Sequence, residues 1–177
     1  MKTQIRRNIF ETNSSSTHAL NVFCGQQSTY EIPEHIIVKP GEFGWECEIY
    51  RYPEDKLSYI YTWILSKCRS YVVNSATGNY EERYDYDKLE KYQLRIKNLL
   101  LDAGVKEVEF ESGSGYWGDG YIDHSENLFN EDLETLLDKY FIDYVFNIQS
   151  YVETGNDNDD DDVSEDSYSD WSFYKGN

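Results

Sequence analysis

The sequence predicts an α+β fold: a mixed or antiparallel sheet packed against about three helices, with an acidic C-terminal extension. Three observations predict it. Short apolar and β-branched segments, punctuated by Pro33, Pro40, Gly41 and Gly44, crowd the first fifty residues. Three longer segments repeat apolar residues at i, i+3, i+4 and i+7. The whole net charge of −18 lies towards the C-terminus: residues 1–106 hold 14 acids and 14 bases, whereas residues 107–177 hold 20 acids and two bases, Lys139 and Lys175.

Residues 17–23, 28–32, 35–39 and 45–51 read as strands. Pro53 suits the first position of a helix. Leu57, Ile60, Tyr61, Ile64, Leu65 and Cys68 then follow helical spacing, and the helix is expected to end before Asn74. The stretch SATGNYEERYDY (75–86) reads as a polar loop. A second helix is expected over 87–103, with Leu89, Tyr92, Ile96, Leu99 and Leu100 on one face. Gly104 stands where a left-handed cap belongs. VKEVEFE (105–111) reads as a strand with Val108 and Phe110 inward, and 121–123 as another. Asn130 is the expected N-cap of a third helix, with Glu131, Asp132 and Glu134 favoured by the dipole of its first turn. Its apolar stripe runs from Leu133 through Leu136, Leu137, Tyr140, Phe141, Tyr144 and Val145 to Ile148. These elements give a domain over 1–152 and a tail over 153–177. The tail, with its TGNDNDDDDVSEDSYSDWSFYKGN, combines an acidic run with aromatic residues.

Several function classes are excluded at this level. Cys24, Cys47 and Cys68 are odd in number and lack CxxC spacing, which argues against a disulfide scaffold or a zinc ribbon. The N-terminus lacks the apolar core of a signal peptide. No apolar run approaches the ~18–20 residues of a membrane span. A cytoplasmic protein without membrane contact is expected. The 17 tyrosines suit either a core in which Tyr replaces Phe and Leu, or an adhesive surface.

Three constellations could carry chemistry. GSGYWG at 113–118 matches a nucleotide-binding spacing, but DGYID follows where a helix N-terminus would be needed, and Glu109, Glu111, Asp119 and Asp123 would repel phosphate. A hairpin loop is the better reading. His18, Asp123 and His124, with a hydroxyl from Ser14, Ser15 or Ser16, could hold a divalent metal or form a hydrolytic site. Neither GxSxG nor HExxH occurs, so a structural role competes, and no metal or cofactor is assigned. The third constellation is the acidic block of Asp157, Asp159, Asp160, Asp161, Asp162, Glu165 and Asp166, joined by Asp138 and Asp143 from the third helix and by Trp171 as an aromatic anchor. An extended chain places residues every ~3.3–3.6 Å, and phosphates of one DNA strand recur every ~3.4 Å of axis. The block could therefore imitate a nucleic-acid backbone. It would repel nucleic acid itself and attract a basic surface.

RRNIFETNSSSTHAL (6–20), GEFGWE (41–46) with PEDKLSY (53–59), and GYIDHSE (120–126) resemble segments of an uncharacterised group of small bacteriophage and mobile-element proteins. The resemblance covers 1–126 in patches and leaves the tail outside it. It implies a phage or prophage origin. It also implies a shared site drawn from Asn13, Ser14, Ser15, Ser16, His18, Trp45, Asp123 and His124. By analogy with other small acidic phage proteins, the expected function is inhibition of a host nucleic-acid-binding defence protein, in the manner of an anti-CRISPR protein or DNA mimic. The alternative is a small hydrolase or metal-binding enzyme using Ser14–Ser16, His18, Asp123 and His124.

Overall fold

The computed structural model describes residues 2–6, 16–24, 29–45, 47–75, 77–111, 120–123 and 130–156. Its centre is α1 (Pro53–Cys68), opened by Pro53 as the sequence predicts. Lys56, Leu57, Tyr59–Leu65 and Cys68 are all buried on it. A helix buried on nearly every side is a core helix, covered by its neighbours. Those neighbours are α2 (Tyr86–Ala103), the strands β3 (His35–Val38), β4 (Glu42–Phe43) and β9 (Tyr121–Ile122), and the C-terminal helix α4 (Phe141–Phe146). Asp85 caps α2 by accepting from the backbone N–H of Lys88, and Gly104 closes it in the left-handed conformation, φ 113°.

The main sheet has four antiparallel strands in the order β1 (Lys2–Arg6), β2 (Ser16–Phe23), β10 (Tyr151–Asn156), β5 (Glu48–Tyr50). Leu20, Val22, Val152 and Thr154 are buried in it. Two parallel pairs stand apart from this sheet. β3 pairs with β8 (Glu107–Phe110) in the register His35↔Glu107 to Val38↔Phe110, and β4 pairs with β9. β6 (Arg69–Val73) and β7 (Tyr80–Tyr84) form an antiparallel hairpin. The α+β class and the mixture of strand directions are as the sequence predicts.

Several elements differ from expectation. Residues 28–32 form no strand among the described residues; a single bridge joins Thr29 to Asn147. Among the described residues of 45–51, the strand is limited to Glu48–Tyr50, and Gly44, at φ 93°, turns the chain between β4 and β5. The first helix stops at Cys68, and the next five residues become β6, so the expected polar loop at 75–86 instead contains β7. The third helix is interrupted. α3 (Asn130–Thr135) passes into a π-helical turn (Leu136–Tyr140) before α4. The π turn shifts the helical phase, and Asn147 leaves the helix at ψ 126°, so Ile148 ends exposed rather than on the buried stripe. The boundary expected at 152/153 cuts β10, which continues to Asn156 as an interior strand.

The tyrosines divide between the core and the surface. Tyr59, Tyr61 and Tyr144 are core residues, while Tyr52, Tyr71 and Tyr86 are exposed. The three cysteines are free thiols. No described helix is long and apolar enough to cross a membrane.

Candidate functional site

Three segments singled out in the sequence meet at one place. β2 supplies His18, the turn after β4 supplies Gly44 and Trp45, and β9 with the residue after it supplies Tyr121 and Asp123. The parallel pairing Glu42↔Tyr121 and Phe43↔Ile122 lines up the second and third segments. The backbone N–H of Asp123 extends this pairing by donating to Phe43 O at 2.9 Å. His18 Nε2 donates to the backbone oxygen of Asp123 at 2.7 Å, tying β2 to β9 across 105 residues of sequence.

Gly44 makes that closure possible. A Cβ at its position would lie 3.0 Å from both Asp123 Cβ and His18 Cε1, and its φ of 93° already disfavours a side chain. Trp45 then stacks on Tyr121, with ring centroids 5.1 Å apart and planes 25° apart. Trp45 remains 46% exposed, so the stack forms an aromatic step on the surface. Behind it, Phe43 meets Tyr59 and Tyr50 edge-on at 5.1 and 5.0 Å. Burial pushes the Tyr59 hydroxyl far up from its usual pKa, so it stays protonated.

The chemistry of this junction is constrained by which atom of Asp123 does what. Its main-chain oxygen receives His18, and its carboxylate accepts from the Tyr121 hydroxyl at 3.1 Å. A hydrolytic relay needs the carboxylate itself to orient the imidazole. The described contact therefore reads as a clamp between strands. Among the described residues, His18 and Asp123 belong to no set of three convergent metal-ligating side chains. Ser16 lies in β2, whereas Asn13, Ser14, Ser15, His124 and the 113–118 loop lie outside the described residues. We expect Gly44→Ala to destabilise the fold by about 1–3 kcal/mol through backbone strain alone. The shift of the denaturation midpoint would report it, and an unchanged midpoint would mean that the junction relaxes freely.

The acidic candidates are placed unevenly. Asp138 sits exposed on the π turn and Asp143 half-buried on α4. Arg95 of α2 forks to Asp138 and to Glu134, while the Tyr92 hydroxyl donates to Glu134 at 2.6 Å. Burial alone would raise the Glu134 carboxyl; the bonds from Tyr92 and Arg95 outweigh it and hold the group below its usual range. Asp138 thus has a local counter-charge that the sequence did not reveal, since Arg95 lies 43 positions away. Asp157, Asp159, Asp160, Asp161, Asp162, Glu165, Asp166 and Trp171 lie outside the described residues.

Sequence reasoning missed a buried amine. Lys56, 0% exposed, donates from Nζ to the backbone oxygens of Asn147 at 3.1 Å and Ser150 at 3.0 Å. Burial, reinforced by Arg51, pushes its pKa down to about 7.

No known protein family, curated protein or solved structure matches this chain.

Proposed function

We propose that the chain is a non-enzymatic inhibitor of a host nucleic-acid-binding defence protein, of the anti-CRISPR type, and that it presents its acidic C-terminal region to a basic groove. The observation that carries this reading is the confinement of the entire net charge of −18 to residues 107–177, beside a neutral 1–106. A field of that sign and density attracts surfaces built to hold phosphate. Because Arg95 offsets Asp138, the phosphate-like charge falls chiefly on Asp157, Asp159, Asp160, Asp161, Asp162, Glu165 and Asp166. The partner is a basic surface of a host protein such as a Cas effector, met in the bacterial cytoplasm, with no direct contact to nucleic acid or membrane.

The test is capture of nucleic-acid-binding proteins from host lysate by the immobilised chain at low and high salt, with free DNA as competitor. Exposed charges are screened beyond ~8 Å at physiological salt, and each is worth little alone. Release by salt and by DNA is expected. Single Asp→Asn changes should be mild, while Asp159, Asp160, Asp161 and Asp162 changed together should abolish capture. Retention that ignores salt, DNA and the fourfold change would sink the proposal.

A second reading rests on the adjacency of His18 and Asp123: a small hydrolase or metal-binding enzyme that would also need His124 and a hydroxyl from Ser14, Ser15 or Ser16. It concentrates function in few residues. His124→Ala should then remove activity from a protein that melts like wild type, while the fourfold Asn variant stays active.

A further inference from the structure

The outward face of the β3–β8 pair holds a second cluster, outside the junction segments. Parallel pairing puts His35 opposite Glu107, and the two-residue period of a strand brings Glu109 to the same face. Ile36, Val38 and Val108 point into the core, which fixes the register and forces all three polar side chains outward. The ligating atoms of His35, Glu107 and Glu109 lie within 4.8 Å of one another, and His35 Nε2 approaches Glu109 Oε1 to 3.3 Å. The adjacent base, Lys106, is paired with Glu34. Two neighbouring carboxylates repel each other, and a cation between them and the imidazole removes that repulsion.

We propose that His35, Glu107 and Glu109 bind one divalent transition-metal cation of the zinc class. The donor set is one imidazole nitrogen and two carboxylate oxygens, which suits zinc and its first-row neighbours better than magnesium or calcium. Metal–ligand bonds of ~2.0–2.2 Å keep the ligand atoms of one ion within about 4.4 Å of each other. The exposed glutamates reach that spacing by a small side-chain rotation. The backbone beneath them does not have to move, because the backbone N–H groups of Lys106 and Glu107 donate to Glu34 O at 2.8 and 3.0 Å and hold the start of β8 against β3. Three protein ligands leave at least one coordination position to water or to a group from a partner. The site is independent of the acidic tail and of the reading proposed for it.

The experiment is calorimetric titration of the full chain with Zn2+ alone, in millimolar Mg2+ so that the aspartate run is already occupied by a hard cation. One Zn2+ per chain is expected, with a rise in melting temperature. Loss of an outer-sphere partner costs a metal site about 10–100-fold in affinity, so His35→Ala, Glu107→Gln and Glu109→Gln should each cost at least about tenfold. All three positions are exposed, and the metal-free variants should melt like wild type. Absence of a Zn2+ site in the wild type overturns the proposal. So does Zn2+ binding that His35→Ala and Glu109→Gln leave unchanged, because the ion would then sit on other acids.

Discussion

A chain ending at Val152 is expected to lose its cooperative melt, whereas a chain ending at Asn156 should keep it. The difference is four residues, and the reason is their position in the sheet. β10 lies between β2 and β5, so Glu153, Thr154, Gly155 and Asn156 pair with Ala19, His18, Thr17 and Ser16, while Glu153 and Thr154 also pair with Ile49 and Glu48 on the other side. Removing them takes away most of the pairing that ties β5 to the sheet. It also deletes Thr154, which is 1% exposed, and bares the flank of β2 next to His18. Each backbone hydrogen bond contributes about 0.5–1.5 kcal/mol, and buried groups left unbonded cost about 1–3 kcal/mol each. Against a total of about 5–15 kcal/mol for a domain, the loss approaches the whole stability. Circular dichroism melts of the two products decide it: a cooperative transition in the shorter chain would show that β10 is dispensable past Val152. The pair of products also separates fold from function. Under the proposed function, the longer product should stay folded yet lose salt-sensitive capture, since it lacks the Asp159–Asp162 run.

The sequence disclosed what depends on periodicity and concealed what depends on distant pairing. α1 and α2 were legible because their apolar residues recur at helical spacing and are bounded by Pro53 and Gly104. β3 and β8 were legible because one face of each strand packs on the core. β6 and β7 were not: Tyr71, Val72 and Val73 are exposed on successive positions, so no inside–outside alternation marks the strand. β1 reads as a charged terminus, KTQIR, and becomes a strand by pairing along β2. β10 was hidden because its second half, ETGN, is polar. Thr154 is buried there through its place between two other strands, not through apolar character.

The site shows the same division. The resemblance singled out His18, Trp45 and Asp123, but no one-dimensional pattern shows that Asp123 meets His18 through its backbone oxygen. The two glycines beside these segments were the available signal. Gly44, at φ 93°, would bring a Cβ to within 3.0 Å of His18 and Asp123, so a side chain there would be strained and tightly packed. Gly120, at φ 76°, would place a Cβ 2.6 Å from Gly41 O. Residues that must approach a backbone so closely mark a junction, and here they join segments far apart in the chain.

Lys56→Met should destabilise the protein by about 1–3 kcal/mol near pH 9, and by less near pH 6. The direction follows from the surroundings of the amine. α4 ends at Phe146, and the turn that returns the chain to β10 leaves the carbonyls of Asn147 and Ser150 buried; Nζ donates to both. The Tyr144 hydroxyl donates back to Lys56 O at 3.2 Å, and Asn147 Nδ2 donates to Phe23 O at 2.8 Å, so α1, the turn and β2 share one polar network. Methionine keeps the length of the side chain but strands the Ser150 carbonyl, at about 1–3 kcal/mol, and takes one of two donors from the Asn147 oxygen, which still accepts from the Ser150 N–H at 3.1 Å. Part of that cost is offset because the wild type must hold an ammonium in a buried place. The offset depends on pH. Burial, with Arg51 nearby, brings the folded pKa from 10.5 to about 7. Between these values the unfolded chain binds more protons than the folded one, so stability rises with pH. A neutral amine still has two N–H donors for two carbonyls. The rise is expected from about pH 7 to about 9. Above that, Cys68, Tyr92, Tyr59 and Tyr144 work in the opposite direction: burial raises each of them, so the folded state holds protons that the unfolded chain releases. Denaturation midpoints of wild type and Lys56→Met between pH 6 and 9 test both the size and the sign. The gap between the two proteins should widen as the pH rises. Parallel profiles would show that Lys56 carries its charge in the folded state throughout this range, held by the two carbonyls and by the Tyr30 and Tyr144 rings at 5.6 and 5.9 Å.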